Sequence, residues 1–378
     1  MRIKYPDSDN ALRSLWSMIS CIKRRFCGCI NRRHNIATIL YISSLVITPG
    51  VVYKGRRLID EIRYLTSLSP MNFICVVRTT APSYFRGRNR LMKLQERSIE
   101  LLRDICYVVV YSRSREFLNH AKFLIFYHVC FSEGEVYYGK YYGSTNLTMA
   151  GLAGSQGLDR HGNYEEFTTV RPGAKSINRL NRYDRFYLEE VLELITHKAS
   201  LYTDPNYLRS YLTSHLVMLE TVLEHSRKVA SGTTLGELYE AYVDLLYAYN
   251  QTYALLDEIP GKKLTMELKD ALIKTSPPVD PFELEVMVPV KADDAELLAK
   301  DLELRATDLR ESIMNYIGAI IKSRELLKEK YLPMSNQMDR YFDEKERRFV
   351  EFVRENSRSH RNLLKKLIDK AYSSYGGS

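Results

Sequence analysis

The stretch NHAKFLIFYHVCFSEGEVYYGKYYGSTNLTMAGL, residues 119–152, decides how the rest of the chain is read. Two apolar runs flank Ser-Glu-Gly-Glu, which predicts two antiparallel strands joined by a short turn. His120 and Lys122 open the first strand two residues apart, so both side chains meet one side of a sheet. Ser144 and Asn146 close the second strand with the same spacing, and Gly143 before them permits a tight backbone approach. A strand pair built only for a core would not begin and end on these residue types.

Upstream, strands and helices alternate. Helical spacing covers residues 12–26, a β-branched run covers 36–48, and helix, strand, helix and strand follow at 55–68, 71–81, 88–105 and 106–114. This order predicts an α/β layered domain with a mostly parallel sheet, to which the 119–152 pair adds an antiparallel extension. Residues 1–175 form this expected domain. From about residue 176 the period turns helical, with stretches at 182–197, 205–229, 235–259, 292–330 and 338–372 broken by Pro-rich SPPVDP at 276–281. Residues 176–378 are therefore expected to form a mostly helical region. Helices this long need a partner for their apolar stripe, either within the chain or in a second copy.

The chain has 378 residues and a formal charge of +9, unevenly placed. Residues 1–180 hold 27 Lys and Arg against 13 Asp and Glu, whereas the remainder holds 28 against 33. A basic first half points to a polyanion as partner or substrate. Arg86, Arg88, Arg90 and Lys93 cluster at a loop and helix start, where phosphate binding and an ordinary solvated surface are both open. No secretory signal is evident, and the most apolar run is too short to span a bilayer. With a core that needs no disulfides, the six cysteines are expected to be free thiols in a cytoplasmic protein without an integral membrane segment. Cys21, Cys27, Cys29 and His34 offer metal-ligand types, but not as two close pairs, so their spacing argues against zinc. His128, inside the apolar strand, reads as a packed core histidine.

His120, Lys122, Ser144, Asn146 and, further on, Asn163 and Glu165 in HGNYEEF suit phosphoryl transfer. An imidazole attacks phosphorus, an ammonium and an amide hold the non-bridging oxygens, and a hydroxyl or carboxylate orients the imidazole. Few carboxylates lie nearby, which argues against a two-metal site. His161 sits close enough in sequence to Asn163 to touch a substrate, and Glu166 is an alternative to Glu165 as the orienting acid.

The ordered set His120-x-Lys122, Gly143-Ser144-x-Asn146 and Asn163-x-Glu165 resembles the phospholipase D superfamily over roughly residues 36–170. One departure is plain: the family places an aspartate five residues after the lysine, where this chain has Tyr127. The interval from Lys122 to Gly143 is also longer than the family's usual one. The resemblance implies a phospholipase D-like layered mixed sheet flanked by helices and a metal-independent phosphodiesterase that needs no cofactor. It implies catalysis through a covalent phosphohistidine on His120, with Lys122, Ser144, Asn146 and Glu165 in support. Only one motif is present. Single-motif members are mostly nucleases that pair two chains, so a homodimer acting on DNA or RNA is the expectation. The helical half would then serve the dimer, the substrate or a protein partner. Two other readings stay open: a phospholipid hydrolase or phosphatidyl transferase, and a catalytically degenerate protein that binds nucleic acid or organises partners.

Overall fold

The computed structural model describes residues 8–48, 51–82, 89–103, 105–111, 122–143, 167–204, 206–208, 210, 211, 213, 214, 217, 254–259, 300, 304, 307, 311 and 344–372. In chain order the elements are α1 (Ser8–Asn31), β1 (Ile36–Ser44), β2 (Val52–Tyr53), β3 (Arg56–Arg57), α2 (Leu58–Leu68), β4 (Phe73–Thr80), α3 (Asn89–Arg103), β5 (Tyr107–Tyr111), β6 (Lys122–Cys130), β7 (Glu135–Gly143), β8 (Phe167–Ser176), α4 (Arg182–Thr203) and α5 (Glu344–Tyr372). β2 and β3 make a small ribbon. The other strands form one six-stranded sheet in the order β5-β4-β1-β6-β7-β8.

The protein is thus α/β, and its sheet is mixed. β5, β4 and β1 pair in parallel, whereas β1–β6, β6–β7 and β7–β8 pair antiparallel. The expectation of a mostly parallel sheet is corrected by β8. This strand reads FTTVRPGAKS, and its Pro172 and Gly173 disguise it in sequence. Proline withholds a ladder donor and is confined to edges and bulges, and β8 is one of the two edge strands of this sheet among the described residues.

Alternation along the strands divides the core into two layers. Leu40, Ile42, Cys75, Val77, Val108, Leu124 and Phe126 face α1, α2 and α3. Helix α1 meets them with Leu15, Ile19, Ile22, Phe26 and Cys29, the stripe of a 3.6-residue period. On the other face Ile39, Tyr41, Val76, Tyr107, Ile125 and Tyr127 pack against α4 and α5. α4 contributes Leu188, Val191, Ile195 and Ala199, and α5 contributes Phe349, Val353, Leu364 and Leu367. α5 is pinned by His360, whose Nε2 donates to the Pro70 carbonyl at 2.8 Å, leaving Nδ1 to accept from the Tyr107 hydroxyl at 2.9 Å. The α4–α5 helices therefore complete the core of the sheet.

The β7–β8 pairing is irregular between Tyr138 and Lys140, where Arg171 and Pro172 of β8 stand opposite Gly139 alone, and Gly139 lies against the ring of Phe126. A Cβ added at Gly139 would stand 2.4 Å from Phe126 Cε1. Because Phe126 is fully buried, the ring has no room to retreat. Gly139→Ala is expected to cost about 1–3 kcal/mol, measured as a lowered urea midpoint at unchanged slope.

Candidate functional site

The register of the sheet brings the ends of several strands level with one another. Lys122 stands opposite Gly143, Gly143 opposite Phe167, and Phe123 opposite Ser43. On the parallel side Ser44 is level with Thr79, and Thr80 with Tyr111. The start of β6, the end of β7 and the start of β8 thus share one end of the sheet. It is also the end where all three parallel strands finish. Open α/β sheets bind ligands outside the carboxyl ends of their parallel strands.

Buried polar side chains collect at this end: Ser43, Ser44, Thr79, Thr80, Gln95 and Lys122. Gln95, on α3, donates from Nε2 to Thr79 Oγ1 at 2.7 Å and to the Thr80 carbonyl at 3.0 Å. Its Oε1 accepts from the Ile47 amide at 3.0 Å. Thr79 Oγ1 in turn donates to the Ser44 carbonyl at 2.9 Å. This chain of bonds seats the first turns of α3 on the rim, so Arg90 and Lys93 are exposed beside it. Basic side chains at a helix N-terminus that also borders a polar strand edge make a cationic environment for an anion.

Of the residues singled out in sequence, Lys122 opens β6 and is only 8% exposed, on the rim just described. Arg90 and Lys93 lie on the adjoining helix. His120, Ser144, Asn146, Glu165, Arg86, Arg88, His161, Asn163 and Glu166 lie outside the described residues. Sequence reasoning missed Gln95, Thr79 and Ser44. A signal for the strand residues was there: the apolar runs of β1 and β4 each end in a polar doublet, Ser43-Ser44 and Thr79-Thr80.

Tyr127, which stands where the aspartate was looked for, is buried and donates its hydroxyl to Asp184 Oδ1 at 3.0 Å. Asp184 is itself fully buried on α4, salt-bridged to Lys140 and, through Oδ2 at 2.7 Å, to Lys175. It also caps its own helix: Asn181 Oδ1 accepts from the Asp184 amide at 2.9 Å, and Asp184 Oδ2 accepts from the Asn181 amide at 3.1 Å. Burial alone would raise the carboxyl pKa, but the hydrogen bonds and charges of Lys140 and Lys175 hold it below the usual carboxylate range. Burial, followed by the charge of Asp184, pushes the Tyr127 phenol well up, so it remains a donor. Tyr127 thus meets a carboxylate from another element, in a place that serves the sheet-to-helix joint.

His128 is a core histidine, as its position in the run implied. Its Nδ1 lies 2.7 Å from Thr38 Oγ1 and its Nε2 lies 3.3 Å from Cys29 Sγ. Burial lowers its pKa to about 4. His360 is lowered to about 4 for the same reason. All six cysteines are free thiols. Among the described residues no helix is long and apolar enough to cross a membrane.

No protein-family model matches the chain, and no curated protein and no solved structure matches it.

Two predictions follow from these buried charges. Asp184→Ala leaves Lys140 and Lys175 without their anion and should cost about 3–5 kcal/mol in urea unfolding. The two histidines, at about 4 when folded against an ordinary 6.5, keep their full contribution above 6.5. That contribution is lost as pH falls from 6.5 towards 4, because the unfolded chain takes up protons that the folded one refuses. His360→Gln, which retains a donor for Pro70, should flatten the acid slope of stability by up to about 1.4 kcal/mol per pH unit.

Proposed function

We propose that the chain is a metal-independent phosphodiesterase with a phospholipase D-like fold, acting on the backbone of DNA or RNA. The observation that carries this reading is the shared register of Lys122, Gly143 and Phe167 at the carboxyl end of the parallel strands. The three motif segments are tethered to these three strand ends. Two peptide units separate His120 from Lys122, one separates Ser144 from Gly143, and two separate Glu165 from Phe167. Such links reach no more than about 7 Å.

In this reading the imidazole of His120 attacks phosphorus, forming a P–N bond as the P–O bond to the leaving group breaks. The ammonium of Lys122 and the amide of Asn146 hold the non-bridging oxygens. Lys122 is buried at the rim, where low dielectric strengthens its hold on developing charge. Ser144 and Glu165 orient the imidazole. A second copy of the chain supplies its own His120 as the acid that protonates the leaving oxygen and then takes a proton from water as the water oxygen bonds to phosphorus and the P–N bond breaks, freeing the first imidazole. A single motif per chain supports this two-chain arrangement. The 27 basic against 13 acidic residues of the first 180, with Arg90 and Lys93 on the rim and Arg86, Arg88, His161 and Asn163 in adjoining segments, favour a nucleic-acid backbone as substrate.

The test is cleavage of labelled single- and double-stranded DNA and of RNA in EDTA, with phospholipid vesicles in parallel. Wild type is expected to cut nucleic acid. His120→Ala is expected to lose at least about a thousandfold in rate and Lys122→Ala about a hundredfold or more, with nucleic-acid binding largely retained. Cleavage of vesicles alone would transfer the reading to a lipid substrate. Binding without cleavage by either protein would sink the enzyme assignment.

A further inference from the structure

The opposite end of the sheet holds a second group of chemically capable side chains. Helix α1 terminates with the Arg33 amide bonded to the Ile30 carbonyl at 2.9 Å and the His34 amide bonded to the Cys29 carbonyl at 3.1 Å. This is a Schellman arrangement, with Arg33 taking the left-handed position at φ 56 that glycine usually fills. The turn folds His34 back towards the last residue of β6, Cys130, and the β6–β7 turn that follows it. The Phe131 amide donates to the Asn35 carbonyl at 2.9 Å, fixing the two segments side by side.

His34 Nδ1 lies 3.4 Å from Cys130 Sγ and 3.6 Å from Glu133 Oε1. All three ligand atoms fall within 4.8 Å of one another. Zinc bonds of about 2.0–2.3 Å to nitrogen, oxygen and sulfur at tetrahedral angles put neighbouring ligand atoms about 3.3–3.6 Å apart, the nitrogen–oxygen edge being the shortest. The nitrogen–sulfur spacing at His34 lies within that range and the nitrogen–oxygen spacing is a few tenths of an ångström wider than its edge, a shift that Glu133 makes from an exposed turn. We propose that His34, Cys130 and Glu133 bind one zinc ion, with a water in the fourth position. A neutral imidazole, a thiolate and a carboxylate together balance the charge of a divalent cation, and their mixed nitrogen, sulfur and oxygen set suits a borderline ion. Cys29 lies near: burial and then the charges of Cys130 and Glu133 raise its thiol pKa, more than Arg32 and Arg25 lower it, and its sulfur is engaged with His128 Nε2 at 3.3 Å.

The four residues of metal-ligand type that lie close together in sequence, Cys21, Cys27, Cys29 and His34, whose spacing argues against zinc, are thus regrouped by the fold. His34 joins partners almost a hundred positions away, separated from Cys130 by 96. β6 runs from Lys122 to Cys130, so the zinc site stands about 27 Å from the phosphodiester end. The ion clamps the α1–β1 connection to the β6–β7 turn and takes no part in the chemistry proposed at Lys122.

The experiment uses the full-length chain, with bound metal counted by elemental analysis. The chain is then stripped with a chelator and titrated with zinc, and with cobalt as a spectroscopic stand-in. One zinc per chain is expected, with a thiolate-to-cobalt absorption band and a rise in Tm on metal addition. His34→Ala and Cys130→Ser should each weaken zinc binding at least tenfold and diminish the cobalt spectrum, and circular dichroism is used to establish that each variant is folded. His34 is partly exposed, so His34→Ala remains informative if Cys130→Ser does not fold. Absence of stoichiometric zinc and of the cobalt–thiolate band in wild type would overturn the proposal. So would unchanged affinity in folded His34→Ala.

Discussion

A buried carboxylate with four partners fixes how the strands of this molecule meet its helix. Asp184 is salt-bridged to Lys140 on β7 and Lys175 on β8, and accepts hydrogen bonds from the Tyr127 hydroxyl on β6 and from the Asn181 amide at the cap of its own helix. Three strands and a helix are thereby tied at one point. Two ammonium groups face one carboxylate, and the remaining positive charge is met by aromatic faces. Lys175 sits 4.0 Å from the centroid of the Tyr138 ring, and Lys140 sits 5.4 Å from that of Tyr187. Such a cluster gives little net stability over an apolar packing, since desolvation offsets most of the attraction. Its effect is on register: a slip of β7 or β8 by one residue would turn its lysine to the opposite face and strand the carboxylate.

The same joint determines how the two ends of the sheet differ. β6 and β7 are locked against α4 near their middle and β8 close to its last residue, leaving the two ends of the sheet to carry side chains unsuited to a core. At one end Ser43, Ser44, Thr79, Thr80 and Lys122 gather where the parallel strands finish. At the other, His34, Cys130 and Glu133 meet where the strands turn back. A rigid sheet separates the proposed phosphodiester chemistry from the proposed metal clamp, so each end is free to vary without disturbing the other.

Apart from the short β2–β3 ribbon, part of which reads in sequence as the start of a helix, the elements before β8 were legible because their apolar periods are clean: the stripe of α1, the β-branched run of β1 and the Ser-Glu-Gly-Glu turn each admit one reading. β8 was not, since Pro172 and Gly173 contradict the strand pattern locally while the edge position tolerates them. Lys122 was legible at its place on the rim because strand alternation and the end of an apolar run are local signals. Gln95 was not, because a glutamine in a basic amphipathic helix looks like surface until the helix is laid on the strand ends. Asp184 and the pairing of His34 with Cys130 depend on residues far apart in sequence, which no local period encodes. The same holds for Tyr127, whose partner lies 57 positions further on.

The hydrogen bond between Tyr107 and His360 joins residues 253 positions apart. At about 5–20 residues per second, synthesis of that interval takes roughly 10–50 s. Throughout this time the nascent sheet lacks the helix that covers much of one apolar face. Such a delay makes the partly made chain a natural client of chaperones that shield exposed hydrophobic surface. It also concentrates sensitivity to nonsense and frameshift changes in the last helix, whose loss would uncover Tyr107 and its neighbours in an otherwise fully translated sheet.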